Sequence, residues 1–129
     1  MRSYLLDTQP FLMLAHGKEV KKIGRKALRI IEDENSQLQL SAISLVEIAV
    51  KNQIGKLDVS PAAIDKLVER LEITVLPFTR EHAERLHSLP LHHREPFDRM
   101  LIASALAEDR PILSGDENFR RYKSLRVIW

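Results

Sequence analysis

The chain has 129 residues, 44% hydrophobic and 29% charged, with a net charge of +2; this suits one globular domain over 1–129 with room for a real core. Having no cysteine, it can form no disulfide, thiolate nucleophile or cysteine-ligated zinc site. Its apolar runs are too short to span a bilayer and no signal-peptide core opens it, so the expectation is a cytoplasmic protein without membrane contact.

The first strand is expected at 3–7, where SYLLD climbs through Tyr4, Leu5 and Leu6 and stops on Asp7. Aspartate is depleted in strands and costly to bury unpaired, so an acid at that strand end asks for a role. A short helix is expected at about 9–15 and a long one from 18 to 34. The long helix would carry Val20, Ile23, Ala27, Ile30 and Ile31 as its apolar stripe, opposite Lys18, Lys21, Lys22, Arg25, Lys26 and Arg29. A second basic group, Arg120, Arg121, Lys123 and Arg126, lies near the end. Solvated helix faces and a phosphate-attracting surface are equally good readings of both.

LQLSA at 38–42 reads as a strand, and SLVEIAVKNQIG at 44–55 as a helix with Ser44 at its N-cap and Gly55 past its end. Ser60-Pro61 opens another helix. ITVLPF at 73–78 is strand-like, and Thr79 caps a helix running to about 88. LPLHHREP at 89–96 reads as a loop, and Phe97 to about Glu108 as a helix rich in small residues. PILS at 111–114 and LRVIW at 125–129 supply the last strands. Short strands alternating with helices predict an α/β sandwich: a central, mainly parallel sheet of four to five strands covered on both faces.

Open parallel sheets carry their ligand crevice at the carboxyl ends of the strands. Asp7 ends the first strand, Ser44 and Glu47 open the helix after the second, and Asp116 follows PILS within SGDEN. Asp98 stands in the first turn of the helix after the histidine-rich loop. Each acid also has a structural explanation. Asp7 could cap a helix, Glu47 could complete a capping box with Ser44 or pair with Lys51, Asp98 could complement a helix N-terminus, and Asp116 could serve a turn. Taken together, four carboxylates return to one rim. Two such charges about 4 Å apart repel by roughly 4 kcal/mol at an effective dielectric near 20, so a cluster must take up protons or bind cations. Hard oxygen donors without sulfur select Mg²⁺ or Mn²⁺, whose chemistry suits phosphodiester hydrolysis. His92 and His93 are adjacent, which makes joint ligation of one metal awkward; with Arg94 they read as a loop surface that steers phosphate or touches a neighbouring subunit. Trp129 is expected to pack on the edge of the core.

The stretches YLLDT at 4–8, SAISLVEIAVKNQIGKL at 41–57, LPLHHREPFDRMLIASAL at 89–106 and ILSGDENF at 112–119 resemble PIN domains, specifically the VapC-type ribonuclease toxins of bacterial toxin–antitoxin pairs. The resemblance runs over the whole chain, and LHHREPFDRMLIA is its most specific piece. It implies a PIN-like three-layer α/β/α sandwich and a Mg²⁺- or Mn²⁺-dependent endoribonuclease whose acidic site maps onto Asp7, Glu47, Asp98 and Asp116. Thr8, Ser44 and Ser114 would supply supporting hydroxyls, and Arg99 would contact RNA or balance the acids. The implied partners are an RNA substrate, a VapB-type antitoxin and a second copy of the chain. Gln9 and Val46 depart from the usual His and Trp of this group without touching a carboxylate. The rival reading is a catalytically silent PIN-like adaptor that binds RNA or protein.

Overall fold

Along the first strand, Tyr4 and Leu6 face one side and Leu5 the other, and all three are buried. A strand buried on both faces belongs in the middle of a covered parallel sheet. The computed structural model describes residues 2–129 and places that strand there. Strands β1 (Arg2–Leu6), β2 (Ser36–Ser41), β3 (Thr74–Leu76), β4 (Ile112–Leu113) and β5 (Val127–Ile128) run parallel in the order β3-β2-β1-β4-β5. Tyr4 lies opposite Leu38 of β2, and Leu5 opposite Ile112 of β4. Among the described residues, six helices cover this sheet: α1 (Thr8–His16), α2 (Arg25–Glu32), α3 (Ala42–Gln53), α4 (Pro61–Arg70), α5 (Arg80–Ser88) and α6 (Pro96–Ala107). The result is the expected α/β/α sandwich, with every strand pair parallel.

Two apolar clusters separate the layers. On one face Tyr4, Leu6, Leu38, Leu40 and Leu113 meet Phe11 of α1, Ala27 and Ile31 of α2 and Leu67 of α4. On the other, Leu5 and Ile112 meet Leu101, Ile102 and Ala105 of α6, together with Phe119 and Tyr122. The small residues of α6 let it lie close against the sheet. Helix α3 serves both clusters, giving Ile48 to the first and Ile43 to the second.

Several boundaries differ from those expected. Residues 18–34 do not form one helix. Glu19 takes a left-handed φ of 60°, Val20–Lys22 make a single 3-10 turn, and α2 starts only after Gly24. The cause is tertiary: Trp129 lies so close that a Cβ on Gly24 would stand 2.1 Å from the Trp129 carbonyl carbon. Docking of the chain's end thus overrides a helical pattern that continues on both sides of the break. Helix α3 starts at Ala42, two residues earlier than expected, because Ser41, not Ser44, accepts the capping bond from the Ile43 N–H at 3.0 Å. Pro96 belongs to α6, at its first helical position, after Glu95 as N-cap. The strands at 73–78, 111–114 and 125–129 shrink to three, two and two residues.

In this strand order the chain leaves β1 for β2 and β3 on one side, then returns to build β4 and β5 on the other. Segments leaving the adjacent strands β1 and β4 therefore part at their carboxyl ends, which opens a crevice there. Asp7 follows β1, and Ser114 and Asp116 follow β4.

Candidate active site

Asp7 is 4% exposed and makes two tight bonds. Its Oδ1 accepts from the Thr8 N–H at 2.7 Å, and its Oδ2 accepts from the Ser114 hydroxyl at 2.8 Å. Its backbone N–H donates to Leu113 at 3.0 Å, which stitches the end of β1 to β4. The Ser114 oxygen also accepts from the Asp116 N–H at 3.1 Å, so one hydroxyl links two acids. The Asp116 carboxylate turns back to cap the 3-10 turn Glu117–Arg121 through Asn118 at 2.9 Å. Gly115 between them has no room for a side chain, since a Cβ there would fall 2.6 Å from the Trp129 indole.

Across the crevice, α3 presents Ser44 and Glu47. Ser44 is fully buried and pairs with the Thr8 hydroxyl at 2.8 Å, which ties α3 to the segment after β1. Glu47 is nearly as buried. One of its oxygens, Oε2, accepts from Lys51 one turn on at 2.6 Å; the other, Oε1, is buried with no partner. A lone buried carboxylate oxygen is costly, and a cation is the partner that would satisfy it.

Asp98 arrives from α6. Burial, then the charges of Asp7, Glu95, Asp116 and Glu47, push its carboxyl up to about 8. Asp7 rises from 3.8 to about 6, chiefly through burial and with smaller contributions from Glu47 and Asp116, against the lowering effect of its bonds to Ser114 and Thr8. The Lys51 ammonium is shifted upward, first by its bond to Glu47 and also by the charges of Glu95 and Asp98. Acids far apart in sequence therefore sit within electrostatic reach of one another. They stop short of a finished cage: among the described residues, no three His, Asp or Glu side chains stand ready to ligate one ion. The donor set is nonetheless all hard oxygen and includes a buried oxygen without a partner, which fits Mg²⁺ or Mn²⁺.

Four residues around Asp98 have parts that the sequence did not disclose. Glu95 caps α6 by accepting from the Asp98 N–H at 2.6 Å; the order Glu-Pro-x-Asp, with Pro at the first helical position, is the signal that could have revealed it. His93 is not a free loop surface. Its Nδ1 lies 2.8 Å from the Tyr122 hydroxyl and its Nε2 lies 3.4 Å from Asp98 Oδ2. Arg99 donates to the same Tyr122 hydroxyl at 2.9 Å, and to the carbonyls of Leu89, Pro90 and His93. That donor order assigns the imidazole proton to Nε2, facing Asp98. Burial lowers the His93 pKa. Arg99 thus organises the 89–96 loop and reaches the acids only through Tyr122 and His93. Tyr122 carried no local signal, because its partners lie 23 and 29 residues away.

Comparison with known proteins gives a family and a fold. The family model described as PIN domain matches residues 4–125. No curated protein matches the chain. Among solved structures, VapBC2 from Rickettsia felis bound to a DNA fragment from its promoter superposes with a TM-score of 0.71 at 16% identity, covering 98% of this chain and 97% of that one. DNA-bound VapBC from Salmonella typhimurium gives 0.70 at 17% identity, covering 99% and 98%. VapBC-1 from nontypeable Haemophilus influenzae gives 0.69 at 18%, covering 98% and 96%. At such identities the likeness is one of fold.

Proposed function

The chain belongs to the PIN domain family, and on that premise we propose that it is a VapC-type toxin: a Mg²⁺- or Mn²⁺-dependent endoribonuclease, formed by residues 1–129 as one domain and acting in the cytoplasm. The observation that carries this reading is the gathering of Asp7, Glu47, Asp98 and Asp116 at the carboxyl ends of β1 and β4, with one Glu47 oxygen left unpaired. The VapBC complexes among the structural neighbours favour the toxin class over other PIN proteins.

Asp7, Glu47, Asp98 and Asp116 would hold the cation, which when bound supplies Lewis-acid polarisation of the phosphodiester and an acidic water. The chain's own contribution is placement and charge. Asp7 cannot rotate away, because Thr8 and Ser114 grip both of its oxygens. Glu47 is pinned through Oε2 by Lys51, which leaves Oε1 buried and unpaired. Burial and the neighbouring acids push the Asp98 carboxyl up to about 8, so a cation held there would favour its ionised form. His93, held by Tyr122, orients the Asp98 oxygen that faces it. Thr8 and Ser44 lock the floor between β1 and α3.

The partner reading rests on surface. Val46 and Val50, on one stripe of α3, and Ile54, its C-cap, are 48%, 41% and 61% exposed. Such a face suits cover by a VapB-type antitoxin or a second copy of the chain. The deciding experiment is cleavage of end-labelled RNA by the purified chain in Mg²⁺ or Mn²⁺, with and without EDTA, for wild type and Asp7→Asn. Metal-dependent cleavage lost in the variant is the expected result. RNA binding without cleavage would leave a silent adaptor instead.

A further inference from the structure

A second concave feature lies beside the acids and shares none of them. It is a cavity of about 300 Å³ between the C-terminal end of α5 and the segment after the 3-10 turn Glu117–Arg121, lined by Arg85, Leu89, His92, Arg121, Tyr122 and Lys123. That volume is at the small end for ligand sites, with room for one nucleotide-sized group. Its floor is apolar and its rim is cationic. Among the described residues, none of Arg85, Arg121 and Lys123 takes part in an ion pair. Arg121 donates only to Asn118, at 3.2 Å. Three uncompensated cations around an apolar hollow call for a ligand that is anionic at one end and flat and apolar at the other. The exposed His92 ring packs T-shaped with Tyr122, with centroids 4.8 Å apart at 74°.

We propose that this cavity is a nucleotide subsite for the RNA strand, taking the base of a nucleotide next to the cut against His92 and Leu89 and its phosphate between Arg85, Arg121 and Lys123. Every base has a stacking face and every nucleotide a phosphate, so the subsite grips the strand without reading its sequence. It is wired to the acids. The Tyr122 that lines it bonds His93 at 2.8 Å, and His93 faces Asp98. A nucleotide seated there thus touches the support of Asp98 without touching Asp98 itself. The proposal rests on the nuclease reading for its choice of ligand, and on the cavity's own chemistry for its position.

The test separates the two. Binding of fluorescein-labelled single-stranded RNA is measured by anisotropy in EDTA, where no cleavage occurs, and 5′-AMP is titrated by amide NMR. The combined variant Arg85→Ala/Lys123→Ala is expected to bind RNA at least tenfold more weakly. Its slope of log affinity against log salt should fall by about 0.7 for each phosphate that the variant no longer neutralises. With Mn²⁺ its KM should rise more than its kcat falls. Arg80→Ala, on the same helix but exposed and paired with Glu84, should change RNA affinity less than twofold. Shifts caused by 5′-AMP should cluster at 85–92 and 121–124. RNA affinity unchanged in the double variant, 5′-AMP shifts centred elsewhere, or a cavity filled by an acidic peptide and by neither nucleotide probe would each overturn the subsite. Wild-type RNA binding through this cavity without cleavage in Mg²⁺ or Mn²⁺ would overturn the nuclease reading and leave the subsite standing.

Discussion

Replacing Asp7 with asparagine should make the protein more stable and abolish its activity. The carboxyl titrates at about 6 in the folded chain against an ordinary 3.8, and it is 4% exposed. At neutral pH that difference means ionised Asp7 costs about 3 kcal/mol of folding stability. Asparagine removes the charge but cannot accept from both Thr8 and Ser114, and the missing hydrogen bond offsets about 1 kcal/mol. A net gain of about 2 kcal/mol remains, or roughly 6–10 °C in Tm for a domain of this size. The pH dependence follows from the direction of the shift. A carboxyl raised in the folded state favours folding below its unfolded pKa, and that advantage is lost as pH rises through the folded value. Wild type should therefore weaken between pH ~4 and ~7, and the variant's advantage should be full at pH 7.5 and gone near pH 4. Thermal melts in EDTA at both pH values provide the assay. A variant that melts no higher than wild type at pH 7.5, or a gap of constant size at both pH values, would refute the argument that this acid is held under electrostatic and desolvation stress. Saturating Mn²⁺ should raise the wild-type Tm and narrow the gap.

Asp98→Asn should lower RNA cleavage more than about a hundredfold, beyond what loss of an outer-sphere partner costs, with the circular dichroism spectrum unchanged; undiminished cleavage strikes Asp98 from the site. Ser114→Ala removes the bond from its hydroxyl to Asp7 and the acceptor for the Asp116 N–H. It should cost about 1–2 kcal/mol in urea titrations at pH 7.5 and less at pH 4, because a bond to the carboxylate is stronger than one to the acid. His82 is fully buried, accepts from the Thr79 N–H at 3.2 Å through Nδ1 and meets Glu108 at 2.8 Å through Nε2. His82→Ala should cost about 3 kcal/mol through the cavity and the stranded partners, with RNA cleavage at permissive temperature preserved, since His82 does not touch the acids.

The architecture was readable because buried parallel strands are short apolar runs between helices, and β1 shows that pattern plainly. The edges were not: β4 and β5 are two residues each, and neighbouring apolar residues such as Leu125 serve the core without joining the ladder. The apparent helix from 18 to 34 misleads because its stripe is genuine, with Ile23, Ala27 and Ile31 all buried, while the break comes from packing against the far end of the chain. At the rim, Asp7 and Asp116 stood out as acids at strand ends, where carboxylates are out of place. Ser44 was visible as a polar residue near a helix start, but its bond to Thr8 spans 36 residues and no local rule reports it. The support of Asp98 by His93, Tyr122 and Arg99 depends on how the 89–96 loop folds back over Arg99, which is a tertiary outcome.

Trp129 is the chain's sole tryptophan, and its indole lies against Gly115, between Ser114 and Asp116. Indole emission responds to small changes in nearby polarity and charge. The protein therefore carries its own optical probe within a residue of the acids, unconfused by any other indole. Cation loading or strand capture at the rim can be followed by its fluorescence, with no label attached and no substrate turned over.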